Sequence, residues 1–394
     1  MSSGKKIFFE NLDSIRFFAA MMVFFQHAVK PTFENLDLLQ NTQFLKFLNV
    51  ICDGGTGVSV FFVLSGFLIT YLIISEIKIT GRLGLINFYI RRFLRIWPLY
   101  ILIVCFSFLL YPGLKDFLGV NKPLCSNIWY HLVFISNFDI INVREVCYEL
   151  QALTQSVTWS VSVEEQFYLF WPLIFLLPKK LWLYIISFLV IFSLYFRYNH
   201  QEDFTIMYFH TFSVLIDLTV GALLAHIVIY SDRIKKYFEN SNTLSHALLF
   251  IITFLVLFFG TEIIFGAYNK TFERLITSIL FALIIGSQSF TKNKSILCLG
   301  NIKFADKWGK KTYGIYLLHP IAISIIDISF RLLGFFKYKD SFLPHISATI
   351  LMYILTLGLC WISYHYFEKH FLKMKSKYQK IKSHTILEIK KVNA

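Results

Sequence analysis

The stretch TGVSVFFVLSGFLITYLIISEI, residues 56–77, carries a single charge, Glu76, in twenty-two residues. A bilayer-spanning helix needs about 17–25 mainly apolar residues, and this run supplies them. It must be helical, because lipid offers no partners for backbone N–H and C=O groups. Nine further runs read the same way: 14–30, 97–112, 163–178, 181–198, 207–230, 244–260, 272–290, 312–335 and 346–367. Composition agrees, with 56% of the 394 residues apolar and 16% charged, against roughly 45–50% and 25% in soluble domains. A disordered chain is excluded by that hydrophobicity, and a soluble enzyme by the blocks in which it comes. Residues 7–29 are too long an apolar stretch for a cleavable signal peptide, and no small-residue cleavage site follows them.

The charge excess reads as topology. Lys and Arg number 38 against 24 Asp and Glu, a formal net charge of +14. With the N-terminus inside, twenty-six of the 38 fall in cytoplasmic segments, as the positive-inside rule requires. The sequence therefore predicts an all-α, polytopic integral membrane protein of about ten transmembrane helices with both termini cytoplasmic. Residues 1–370 form one membrane domain, and 371–394 a basic tail suited to anionic lipid rather than nucleic acid. The segment IWYHLVFISNFDII, 128–141, is too short to span and is placed at the outer face. Cys52, Cys125 and Cys147 fall in predicted outer loops, where any of three disulfide pairings is chemically allowed.

Ionisable residues inside spans cost about 2.5–3.5 kcal/mol at the helix centre, which makes them functional candidates. In LDSIRFFAAMMVFFQHAV, 12–29, Arg16 and His27 are eleven residues apart. That is about 20° from three full turns, so both point from one face, roughly 16 Å apart along the axis. The bland alternative is a snorkelling Arg and a His hydrogen-bonded between helices. In FYIRRFLRIWP, 88–98, Arg91, Arg92 and Arg95 lie within one and a half turns. Their guanidinium groups suit phosphate oxygens, though cytoplasmic anchoring alone would also place them there. In TWSVSVEEQFYLFWP, 158–172, Ser162 and Glu165 fit a capping box, which leaves Glu164 free to steer a histidine. The alternative is two solvated carboxylates. In KKTYGIYLLHP, 310–320, His319 reads as a satisfied polar contact beside Pro320. Asp217 and Asp327 are expected to pair or to line a cavity.

Together these passages resemble the bacterial membrane acyltransferase-3 family, integral-membrane O-acyltransferases that modify surface glycans. The resemblance rests on Arg16-x10-His27, GVSVFFVLSGFLIT (57–70), RRFLRIWP (91–98), WSVSVEEQFYL (159–169), YGIYLLHP (313–320) and YHYFEKHF (364–371), in the family's order. It covers about residues 9–371. Two departures stand out: Trp97 where the family usually has Tyr, and Glu368-Lys369-His370-Phe371 where it usually has Glu-x-Pro-Phe.

The resemblance implies transfer of an acyl group, most often acetyl, from cytoplasmic acyl-CoA to a hydroxyl of a cell-surface polysaccharide or its lipid-linked precursor, in the bacterial cytoplasmic membrane. Carried over by position, His27 is the catalytic histidine, Arg16 its motif partner and Glu164 its acidic partner. Arg91, Arg92 and Arg95 become a CoA-phosphate site. Ser65 and Tyr316 are candidate oxyanion donors, with His319 lining the pocket. The expected partners are acyl-CoA as co-substrate, the glycan acceptor and membrane lipids, with no tightly bound cofactor, no metal and no nucleic acid. His27 would take a proton from the acceptor or accept the acyl group itself. Rival readings are a proton-coupled transporter, an acyltransferase acting on a small metabolite, and a non-enzymatic assembly partner.

Overall fold

The computed structural model describes residues 9, 11–29, 42–113, 126–147, 153–260, 270–293, 295–335 and 342–378, and every regular element in them is helical. In chain order the first helices are α1 (Leu12–Ala28), α2 (Thr42–Ile51), α3 (Gly54–Thr80), α4 (Leu85–Cys105), α5 (Ile128–Leu132) and α6 (Ser136–Cys147). There follow α7 (Leu153–Ser156), α8 (Thr158–Ile174), α9 (Lys179–Asn199), α10 (Phe204–Phe209), α11 (Thr211–Tyr230) and α12 (Asp232–Glu239). The last are α13 (Thr243–Phe259), α14 (Lys270–Phe290), α15 (Lys303–Gly309), α16 (Thr312–Leu332), α17 (Phe342–Ser363) and α18 (Lys369–Lys375). Single π-helical segments, Phe106–Leu110 and Tyr364–Glu368, extend α4 and join α17 to α18.

Among the described residues, seven helices are long and apolar enough to cross a membrane. An eighth arises if α12 and α13, bent by 97°, are taken as one broken span. These account for eight of the ten predicted spans. The other two, α1 and α8, are helices of 17 residues each, at the short end of the spanning range. The chain is thus an all-helical, multi-pass membrane protein. The segment 128–141 does not span, because its apolar run is broken into α5 and the start of α6 around Phe134, which has positive φ (57°). Its polar groups are buried rather than wetted. His131 Nε2 donates to Asp139 (3.3 Å) and His131 Nδ1 lies 2.9 Å from Thr158 Oγ1. Cys125 and the side chain of Cys147 lie outside the described residues, and with them the pairing of Cys52, Cys125 and Cys147, as do residues 379–394 of the tail.

The centre of the bundle is a crossing of α3 and α11 at two glycines. A Cβ on Gly66 would stand 1.8 Å from the Leu218 carbonyl oxygen, and one on Gly221 would stand 1.9 Å from that of Val63. Without side chains there, the two backbones meet directly, which is how helices gain packing where lipid supplies no hydrophobic drive. A third close approach, Gly309 of α15 against the Asp13 carbonyl, seats the start of α1. Phenols and indoles then tie α8 and α16 to this frame. Trp171 Nε1 donates to Thr70 Oγ1 (2.8 Å), Tyr89 OH to the Leu169 carbonyl (2.8 Å) and Tyr313 OH to the Ile96 carbonyl (2.7 Å). The five helices α1, α3, α4, α8 and α16 are thereby fixed around one interior space.

Candidate active site

That space is a cavity of about 100 Å3 lined by Arg16 of α1, Ser65 of α3, Arg92 and Arg95 of α4, Glu164 and Tyr168 of α8, and Tyr313 and Tyr316 of α16, among apolar neighbours. Six residues singled out from the sequence as ionisable or hydroxyl-bearing groups therefore line one cavity: Arg16, Ser65, Arg92, Arg95, Glu164 and Tyr316. Arg16 forms an ion pair with Asp13, one turn back on the same helix. Arg92 lies over the Phe88 and Tyr168 rings, 5.6 and 5.5 Å from their centroids, contacts of the cation–π kind. Its Nε is buried without a hydrogen-bond partner. Arg91 is elsewhere. It pairs with Glu76 at 3.1 Å and donates to the Tyr378 carbonyl at 2.9 Å. Of the arginine run, two members face the cavity and the third fastens helices.

Glu164 does not meet His27. Ser65 donates to its Oε1, and Tyr168 OH donates to Ser65 Oγ (3.2 Å), so the carboxylate ends a chain of hydroxyls within the cavity. Among the described residues Glu164 makes no hydrogen bond or ion pair with His27. The capping box is also absent, because α8 begins a turn earlier than Ser-x-x-Glu suggests. Ser162 is buried inside the helix, 2.8 Å from Ser136 Oγ, and Glu165 accepts from Trp97 Nε1 (2.9 Å). The Trp97 that replaces the usual Tyr is thus the partner of the second carboxylate.

His27 instead stacks on His319, with ring centroids 5.5 Å apart and planes inclined by 26°. His319 is buried; its Nδ1 lies 3.2 Å from the Ile315 carbonyl, while its Nε2 has no partner. It is only half satisfied, contrary to the sequence expectation. Tyr316 links this pair to the cavity. It lines the cavity, its ring lies 6.0 Å from that of His319, and its hydroxyl lies 2.6 Å from Ser160 Oγ and donates to the Val157 carbonyl (3.1 Å). A row Arg92/Arg95, Tyr316, His319, His27 leads from the cations to the histidine of α1. Asp217 pairs with Arg274 (2.6 Å) and accepts from Ser278 (2.5 Å), and Asp327 pairs with Arg331 (2.8 Å) at the surface, so neither enters the site.

Sequence reasoning missed Tyr168 and Asp13, although each stands three or four residues from a chosen group and so on its face of the helix. The stacking of His27 on His319 had no local signal, since α1 and α16 meet across nearly three hundred residues.

The profile of a family described as an acyltransferase domain matches residues 9–365. Among curated proteins the chain is similar to O-acetyltransferase OatA of Staphylococcus aureus (strain NCTC 8325 / PS 47), 27% identical over 379 residues, covering 91% of this chain and 56% of that protein. It is also similar to a putative O-acetyltransferase of Staphylococcus aureus (strain COL), 28% identical over 342 residues, covering 82% of this chain and 53% of the relative. The chain spans about half the length of the curated relatives it matches. No solved structure matches it.

Proposed function

Because the chain belongs to the acyltransferase-3 family, we propose that it is a membrane O-acyltransferase that moves an acetyl group from cytoplasmic acetyl-CoA to a hydroxyl of a cell-surface glycan or its lipid-linked precursor. Family membership supports acyl transfer, and the relatives named O-acetyltransferases support acetyl and an oxygen acceptor. The glycan rests on the family resemblance. The bias of Lys and Arg supports cytoplasmic termini in the bacterial inner membrane, with the arginine end of the cavity facing the cytoplasm.

The observation that carries the reading is the row of groups from Arg92 and Arg95 past Tyr316 to His319 and His27. Guanidinium groups with no carboxylate partner suit the phosphates of CoA, which accept charge-assisted hydrogen bonds. A pantetheine arm lying along Tyr316 would bring the thioester toward His27. There His27 takes the proton of the acceptor hydroxyl, the oxygen attacks the thioester carbonyl, and the C–S bond breaks. The thiolate then takes up a proton to leave as CoA-SH. His319 stacks on the His27 ring and positions it, a role the sequence alone would have given to Glu164. The test is transfer of labelled acetyl from acetyl-CoA to the glycan fraction in inside-out membrane vesicles. Label in the acceptor supports the reading. Acyl-CoA-independent flux of a solute without any transfer would favour a carrier instead.

A further inference from the structure

The start of the basic tail is not a free lipid-facing segment. Residues 369–378 fold as α18 and a 3-10 turn, pack along α4, and end with the Tyr378 carbonyl held by Arg91, itself paired with Glu76. Within this strap Lys375 is only 9% exposed. Arg95, Arg92, Arg91 and Arg16 are the positive charges near its ammonium. Two of these four are neutralised locally, Arg16 by Asp13 and Arg91 by Glu76. Among the described residues, Arg92, Arg95 and Lys375 make no hydrogen bond or ion pair at all. A cation withdrawn from water beside like charges is costly unless an anion joins it. Three of them, two on the cavity wall and one on the strap beside it, make a cluster suited to a phosphorylated anion.

Building on the acyl-donor reading, we infer that Lys375 completes the phosphate-binding site of Arg92 and Arg95, and that the strap 369–378 is the part of the chain that carries this third cation to the donor's phosphate groups. A phosphorylated anion could be the CoA moiety or a phospholipid headgroup. The joint lining of the donor cavity by Arg92 and Arg95 favours CoA.

The experiment uses the full chain purified in neutral detergent. CoA and phosphatidylglycerol serve as separate probes, and the thermal unfolding midpoint is the readout. Lys375→Met keeps the length of the side chain and removes the charge. The inference predicts that the midpoint of Lys375→Met without ligand equals or exceeds that of the wild type. It also predicts that the apparent Kd for CoA rises about ten- to hundredfold, the range expected for one charge-assisted hydrogen bond. Lys375→Arg should bind CoA within a fewfold of the wild type.

An unligated midpoint lowered in Lys375→Met would mark the lysine as structural and overturn the inference. So would wild-type affinity for CoA in that variant, or stabilisation of the wild type by phosphatidylglycerol that CoA cannot displace. If the wild type binds CoA and Lys375→Met binds it equally, only the lysine assignment falls. If neither the wild type nor Arg92→Gln responds to CoA, the acyl-donor reading itself has failed.

Discussion

His27 of α1 and His319 of α16 lie face to face, with ring centroids 5.5 Å apart. The buried ring of His319 keeps one nitrogen without a partner, so it fixes its neighbour by contact rather than through a hydrogen bond. An imidazole held by a stack has its ring plane set, which matters because a misplacement of about 1 Å can cost about 100-fold in rate. His319→Ala should therefore lower kcat for acetyl transfer about 10- to 100-fold, with KM for acetyl-CoA nearly unchanged. His319→Phe, which keeps the stack and drops the nitrogens, should recover much of that loss. Steady-state kinetics in vesicles would show it, and a Phe variant as impaired as Ala would point to a direct chemical role for the unpaired nitrogen.

The arginine run should divide by position. Arg92→Gln and Arg95→Gln should raise KM for acetyl-CoA about tenfold or more each, the scale of a lost charge-assisted contact. Arg91→Gln should leave KM near the wild-type value and lower the unfolding midpoint, because it strands Glu76, whose side chain is 6% exposed. Breaking such a pair costs about 3–5 kcal/mol. Comparing KM with midpoint across the three variants separates the roles.

The two carboxylates of α8 should also diverge. Glu164→Gln disturbs the Ser65–Tyr168 chain inside the cavity and should cut kcat/KM about 10-fold or more, by the rule for hydrogen bonds to charged groups. Glu165→Gln turns a charged acceptor for Trp97 Nε1 into a neutral amide oxygen and should act on stability first. Equal losses of activity with equal midpoints would mean that the cavity chain has no part in turnover.

Much of this was legible in the sequence. The apolar runs identified the helices, because length and hydrophobicity alone decide whether a segment can cross lipid. Reading each charged motif inside an apolar run singled out Arg16, Arg92, Arg95 and Glu164, on three different helices, and all four line one cavity. Contacts between helices were not legible. Glu164 was assigned to His27 by the family resemblance, yet the Ser65 hydroxyl on α3 took the carboxylate. The capping box failed for a local reason, since the pattern Ser-x-x-Glu recurs inside helices and nothing in it marks where the first turn begins. Lys375 looked like one lysine among many in a basic tail. Only the packing of α18 on α4 distinguishes it.

The glycine crossing allows a sharp test of the frame. Gly66→Ala places a methyl 1.8 Å from the Leu218 carbonyl oxygen, a clash that only a shift of α3 against α11 relieves. Overpacking of this kind costs about 1–3 kcal/mol or more. The variant should show a lowered unfolding midpoint and a smaller yield of monodisperse protein. Gly358→Ala is the control, since no atom lies within 4 Å of a Cβ there.

The central claim is that His27 removes the proton of the acceptor hydroxyl. Its most direct measurement is the single-turnover rate of labelled acetyl transfer by His27→Ala, in vesicles where the variant retains the wild-type unfolding midpoint and CoA affinity. General base catalysis contributes about 100- to 10,000-fold, and a loss of that size is the predicted result. Transfer at the wild-type rate by a folded, CoA-binding His27→Ala protein would contradict the account.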